Sequence, residues 1–390
     1  MLRRFLIGVM LLGLCAPTAS SQSQSMFVYQ NNFWLNLHHF LRGEIFRRGA
    51  KLPLGIDPAS LNESDQKAWA FAIEVYTGIA KQDLLFDADS RRISNTLAMT
   101  GDATRLSDGL FDARTTAALN AAAPIFRAKL WIARQRDNDA WNAAAKALTD
   151  RHQDAMAAAL AKIYGITWPR EPYLVDAVGE TGPNSGFTHD APAGFAAHIH
   201  ASVASIRNTG NAPLELMFHE ASHVPSVNGR IFRMIQEEGA RQKVEVPRGL
   251  DHFMIMFTTG EVTRRELERT GSPGYMSYVY RYSQLPPAVL SAFERHWVPY
   301  LTARSLSSKH CETSSATPGR ATHASPLQHQ VFELVGIPDN VDRLDDIAVK
   351  LESIGLNQSA RSAHHQARKS VDRIEAQCHV IGPALADDTG

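Results

Sequence analysis

Between Ser60 and Tyr164 apolar residues return at steps of three and four, as in Trp69, Ala72, Ile73 and Tyr76 and again in Phe126, Leu130 and Ala133. That period puts them on one face of a helix, and the Ala-rich, proline-poor stretch predicts a helical half. Leu61-Asn62-Glu63-Ser64-Asp65 and Ser107-Asp108-Gly109 supply a helix start and a break, and Ala140–Tyr164 predicts one or two long amphipathic helices. The pattern changes at Trp168-Pro169. Tyr173–Val178 is a short β-prone run, Gly179–Asp190 is rich in Gly, Pro, Asn and Thr, and Phe195–Ile206 follows as a second strand. Two strands joined by a turn-rich connection predict a hairpin or small antiparallel sheet. Asn211 is then placed to cap a helix with Pro213 in its first turn. Further helices are predicted over Asn228–Lys243 and Leu250–Thr270, the last ended by Gly271-Ser272-Pro273-Gly274. The expected class is α+β, a mostly helical domain with a small antiparallel or mixed sheet over the helix that follows Asn211.

The chain ends change the picture of where this domain works. Arg3 and Arg4 precede an apolar run from Phe5 to Leu14, and small and polar residues continue to Ser25. This is the pattern of a signal peptide, taken as residues 1–21, with cleavage in Ala19–Ser25. The run is about half of the roughly 20 residues that a spanning helix needs, so no stable membrane insertion is expected. Leu14 stands before Cys15 where a lipoprotein signal has a small residue, which favours simple export to the periplasm or beyond over a lipid anchor. At the other end Ser305–Ser325 is Ser/Thr-rich. The expected organisation is a domain over 26–304, a linker over 305–327 and a helical appendage over 328–390. Cys311 and Cys378 are expected to pair in an oxidising compartment. Lys and Arg balance Asp and Glu at 40 each, which removes any electrostatic case for a nucleic-acid or anionic-membrane partner.

The chemistry concentrates in His219-Glu220-Ala221-Ser222-His223. Two imidazoles four residues apart share a helix face and can reach one ion, while Glu220 adjoins without ligating and is placed as general base toward a metal-activated water. With 16 histidines in the chain, the bare motif is weaker than its context of apolar neighbours, a capped helix and a preceding β-prone run. A catalytic tetrahedral site needs a third protein ligand, and 225–229 hold no histidine, so it has to come from a later helix. Glu261 is the candidate, because Gly260 beside it lets another backbone come close. The other reading of Glu261 is a surface pair with Arg265, and Glu237 and Glu238 are the fallback ligands. His252 heads the apolar run Phe253–Phe257, as a substrate-positioning or oxyanion group or as a core histidine. Nine residues put it about half a turn out of phase with Glu261, so the two are not expected to share one metal. Tyr278 is chosen as oxyanion donor from the cluster Tyr275, Tyr278, Tyr280, Arg281 and Tyr282, with aromatic packing as the alternative. His38 and His39 either fold back onto the site or pack a first helix.

At these residues the chain resembles the HExxH zincins, and more narrowly the gluzincins, in which a glutamate on a downstream helix completes the zinc site. The resemblance implies His219 and His223 as Zn2+ ligands, Glu220 as general base and Glu261 as third ligand. The chain is also similar to a group of exported bacterial proteins that combine the segments found here at Asn36–Leu41, Phe218–His223 and Thr259–Val262. The interval from His223 to Glu261 is longer than in the thermolysin-like pattern, and Arg265 stands where an Asp supports a ligand histidine. In zincins an edge strand over the ligand helix pairs with extended substrate, and Phe195–Ile206 is the expected strand. His198 and His200 fall on one side of it and are expected to face solvent. The implied function is an exported zinc metallopeptidase acting on a peptide or protein substrate. Alternatives are a metal- or peptide-binding protein without turnover, or a zinc hydrolase of another amide or ester.

Overall fold

Capping side chains set the helix starts of the first half in a computed structural model that describes residues 25–80, 87–101, 103–181, 185–282 and 285–306. The expected signal peptide, Cys15, Cys311, Cys378 and the segments from 307 on lie outside the described residues. Asn32, Asn62, Asp87 and Asp112 each accept a hydrogen bond from a backbone N–H in the first turn of helices α1 (Phe33–Gly49), α2 (Glu63–Ile79), α3 (Ala88–Ala98) and α4 (Ala113–Phe126). From α4 the chain continues through a π-turn, Arg127–Trp131, into the 33-residue α5 (Ile132–Tyr164), which stops where Gly165 turns left-handed at φ 63°. Helices α6 (Ala212–Ala221), α7 (Asn228–Gln242), α8 (Leu250–Arg269), α9 (Tyr278–Arg281), α10 (Pro287–Ala292) and α11 (Val298–Leu306) form the second half. Asn211 does not cap α6 with its side chain. Its carbonyl accepts from the Leu214 N–H, and Pro213 has no N–H to satisfy.

The sheet is mixed, not a simple antiparallel one. Its order is β1 (Phe27–Gln30), β2 (Tyr173–Val178), β4 (His198–Ser202), β3 (Gly186–His189), with β1, β2 and β4 parallel and β3 antiparallel to β4. The strand β2 has the expected bounds. The expected second strand shrinks to β4, and the turn-rich connection holds β3, which crosses beyond β4 before returning to pair with it. Thus β4, expected as an edge strand, is central, and the edge beside it is β3, a strand not expected. The strand β1 was not expected at all. Every residue of β2 and β4 is buried, as central parallel strands covered on both faces are. His198 and His200, expected in solvent, are therefore fully buried.

Two apolar clusters flank the sheet. One face, with Phe27, Tyr173, Val175, Ile199 and Ala201, packs with Phe218 and Leu216 of α6 and with α5, α7 and α8. The second cluster joins α1, α2, α3 and α4 around Trp34, Phe40, Trp69 and Phe126. Polar side chains on α1 dock it to the sheet. Asn36 Nδ2 donates to the Ala177 carbonyl and its Oδ1 accepts from the Gly179 N–H, both at 3.0 Å. His38 and His39 pack here, His38 against the Tyr76 hydroxyl and His39 against His200, as the first-helix reading of that segment expected. The helix α6 lies against the opposite face, so the sheet has two chemically separate sides.

Candidate metal centre

The α6 helix carries His219 in its last turn and ends at Ala221, where the chain tightens. The Ser222 N–H reaches the carbonyls of both Phe218 and His219, and the His223 N–H reaches that of Glu220 at 3.1 Å. A three-residue turn of this kind closes the helix without turning His223 away. His223 Nε2 stands 3.2 Å from His219 Nε2. The third member comes from α8, which packs on α6: His252, in its first turn, places Nε2 3.3 Å from His219 Nε2. One ligand atom from each of the three lies within 4.8 Å of the others.

These separations test whether a metal fits. Tetrahedral donors about 2.0–2.1 Å from zinc stand roughly 3.3–3.4 Å apart, close to the two spacings here. Burial, followed by the neighbouring imidazoles, pushes His219 well below its usual value, and burial takes His223 down to about 4 and lowers His252, against a rise from Asp251. Neutral imidazoles are the ligating form. Three converging ring nitrogens cannot all be satisfied by hydrogen bonds to one another, whereas one cation uses all three lone pairs.

Glu220 lies beside this group and is almost fully buried. Its Oε2 accepts from the Thr188 hydroxyl at 2.8 Å, and the same hydroxyl lies 3.0 Å from the Glu220 carbonyl. Burial pushes the carboxyl up to about 7, with the Thr188 bond working the other way. Thr188 belongs to β3, so the edge strand meets the motif at its carboxylate. One turn earlier, Glu215 is buried and accepts from the Tyr275 hydroxyl at 2.7 Å and the Tyr278 N–H at 3.1 Å. Burial raises it to about 8 despite those bonds.

The remaining expected site residues fall elsewhere. Glu261 is not in the histidine group: its carboxylate is held by Arg264 at 2.8 Å and Arg265 at 2.6 Å. Burial works to raise it, and the two guanidinium bonds prevail and hold it below the usual carboxylate range. The Arg265 pairing weighed for this residue is the one found, because nine residues along α8 turn Glu261 away from the face that His252 presents. Gly260 does admit a close neighbour. A Cβ there would stand 2.7 Å from Ser277 Cβ and 2.8 Å from Glu215 Oε1, so the approach serves the α9 junction and not a ligand. Glu238 pairs with Arg241 and Gln242, and Glu237 is exposed. The Tyr278 hydroxyl is occupied by Asn208 Oδ1 at 2.9 Å and the Arg207 carbonyl at 3.1 Å, which ties α9 to the loop before α6. Tyr275 serves Glu215, and Tyr282 lies under the Arg207 guanidinium, 4.7 Å from its ring.

Sequence reasoning named His252 for substrate or oxyanion duty and missed it as a metal-ligand candidate. The available signal was simple: it is the first histidine after the motif, and it heads a helix. No family model matches the chain, and no curated protein or solved structure matches it significantly.

Proposed function

We propose that this chain is a zinc-dependent hydrolase, with peptide bonds as its substrate class. The reading rests on one observation, the convergence of His219, His223 and His252 next to a buried Glu220. Those three imidazoles would hold the ion, with Glu261 left outside. A zinc ion bound there supplies Lewis acidity and makes an attacking water more acidic. Glu220 is the proton carrier: Thr188 fixes Oε2, which leaves Oε1 to take a proton from that water and return it to the leaving amine. A carboxyl drawn toward neutrality by burial suits both transfers. Glu215 does not share this work, because Tyr275 and Tyr278 hold it in place one helical turn away.

A peptide is favoured by the strand that supports Glu220. Among the described residues β3 pairs only with β4, so its outer edge has no strand partner, and an extended chain could bond there through main-chain groups. Export of the chain, read from its first residues, fits extracytoplasmic hydrolysis.

The test compares zinc content and cleavage of a broad peptide library in wild type, Glu220→Gln, His252→Ala and Glu261→Ala. Glu220→Gln is expected to keep its zinc and lose hydrolysis by about 10²–10⁴-fold. His252→Ala should lose one zinc per chain and all turnover, and Glu261→Ala should keep both. Wild-type zinc and cleavage in His252→Ala would overturn this centre. A full zinc complement with no cleavage of any peptide would favour a binding protein or a different amide or ester substrate.

A further inference from the structure

The buried histidines on the sheet face opposite α6 lead to a surface cleft. His198 has both ring nitrogens engaged: Nε2 lies 2.7 Å from Asp176 Oδ2 and Nδ1 lies 2.9 Å from Asn95 Oδ1. Asn95, on α3, turns its Nδ2 to the Asp190 carbonyl at 2.8 Å, which fixes the end of its amide that faces the histidine. His189 Nδ1 donates to the same carbonyl at 2.9 Å, so its Nε2 accepts from His200 Nε2 at 2.8 Å. Two buried relays therefore converge on one main-chain oxygen, at the point where β3 ends. They hold the exit of the strand that meets Glu220.

Beyond that oxygen lies a cleft of about 590 Å³, within the size range of small-ligand sites. One wall is α3, with Asn95 and Met99, the other is the 103–110 loop, with Arg105 and Leu110, and Ala191 and Pro192 join them in continuation of β3. The loop is anchored from within. Asn120 of α4 bonds both main-chain groups of Leu106, at 2.8 and 3.0 Å, and Trp34 Nε1 donates to the Ala103 carbonyl at 2.8 Å. The cleft is thus shaped before anything binds, which lowers the cost of filling it. Its lining has two uncommitted groups. Met99 is 59% exposed, and the Arg105 guanidinium comes no closer than 4.0 Å to Asp108. A thioether and a loosely held guanidinium, beside Leu110 and Pro192, suit a flat ring: sulfur favours ring edges, and a guanidinium stacks on ring faces. An aliphatic side chain would use only the apolar part of this lining.

We propose that this cleft receives an aromatic side chain of the peptide substrate, about three residues from the cleaved bond, and so sets the specificity of the α6 centre. The inference rests on the peptide reading above. Its placement follows from the strand. Thr188 bonds the Glu220 carboxylate and lies opposite Ile199, whose side chain packs on the α6 side of the sheet, while His189 turns to the α1 side. A chain added along β3 alternates in the same way, so a substrate residue an odd number of positions from the one beside Thr188 turns toward α3. Ala191 is three residues on from Thr188, roughly 10 Å of extended chain. Asn95, His198 and Asp176 act as positioning residues, because they hold the end of β3 against the cleft.

Two measurements on the full mature chain test this. The first follows the Met99 methyl by NMR on isotope-labelled methionine in Glu220→Gln, chosen so that the probe is not consumed. The probe is a capped five-residue alanine peptide with phenylalanine at its centre, beside its all-alanine counterpart. The phenylalanine peptide is expected to shift Met99 and the all-alanine peptide to leave it in place, and adding Arg105→Ala should weaken the titration by about threefold. No Met99 shift with the phenylalanine peptide overturns the aromatic site, whatever is cleaved. The second compares cleavage of a peptide library by wild type and by Met99→Ala combined with Arg105→Ala, both exposed positions. Wild type is expected to favour an aromatic residue over alanine by about tenfold at about three positions from the cut, and the double variant by about twofold, with zinc content unchanged. Cleavage without that preference overturns the proposal and leaves the zinc hydrolase standing. A Met99 shift with no cleavage of any peptide supports the aromatic site and counts against the hydrolase reading alone.

Discussion

The same residue type does different work on the two faces of this sheet. His219, His223 and His252 meet at helix ends, partly exposed, with ring nitrogens 3.2–3.3 Å apart. His189, His198 and His200 meet inside, at hydrogen-bond distance or gripped by a carboxylate. An open group reached from solvent can exchange ligands and admit substrate, while a buried, hydrogen-bonded one can only hold structure. Access, more than donor chemistry, separates a reacting site from a holding one.

Removing a member of the open group should have the largest effect. His252→Ala is expected to weaken zinc binding at the α6 centre by more than the 10–100-fold typical of outer partners, read by competition with a chelator. Native zinc affinity in that variant would break the contrast between His252 and Glu261. On the buried side, Asp176→Ala takes the acceptor from His198 Nε2 and one of the two acceptors from Gln30 Nε2, and should cost about 3 kcal/mol in urea unfolding. The α6 centre should keep its zinc in that variant.

Glu215 offers a pH test that does not touch the ligands. Its folded value of about 8 lies above the 4.5 of an exposed carboxyl, so the folded chain binds this proton more tightly. The stability gained is complete below about pH 4.5 and is lost as the pH rises through about 8, a change of about 5 kcal/mol. Glu215→Gln, compared with wild type by urea unfolding at pH 5 and pH 8, should flatten that dependence. An unchanged slope would place the titrating group elsewhere.

Smaller effects sharpen the picture of how the edge strand serves the open group. Thr188→Val removes the hydroxyl that orients Glu220, and should lower kcat by about 10–100-fold with zinc content unchanged. Loss of zinc instead would mean that β3 shapes the ligands and not the carboxylate. The smallest expected change is Glu261→Ala. Its two arginine partners are partly exposed, so thermal unfolding should register about 1 kcal/mol or less.

Much of the helical frame was legible because period and caps are local. The bounds of α7 and α8 and the caps at Asn62 followed from residues within a turn of each other. The β2 strand was legible as a short β-prone run, although the burial of Asp176 within it was not. The strand order was not, because β1 pairs with a strand more than a hundred residues along the chain, as between Phe27 and Tyr173. A strand's exposure was equally hidden: His198 and His200 lie on one side of β4, and only the docking of α1 decides that this side is closed.

By itself, then, the sequence determined the α+β class, the helix that holds His219 and His223, and the carboxylate set between them, since all three follow from spacing along one helix. Tertiary structure decided the third partner. Glu261 and His252 sit on the same helix, and its packing against α6 turned the histidine inward and left the glutamate to two arginines. Phase along a helix is written in the sequence, but which phase faces a neighbour is fixed only when the helices pack.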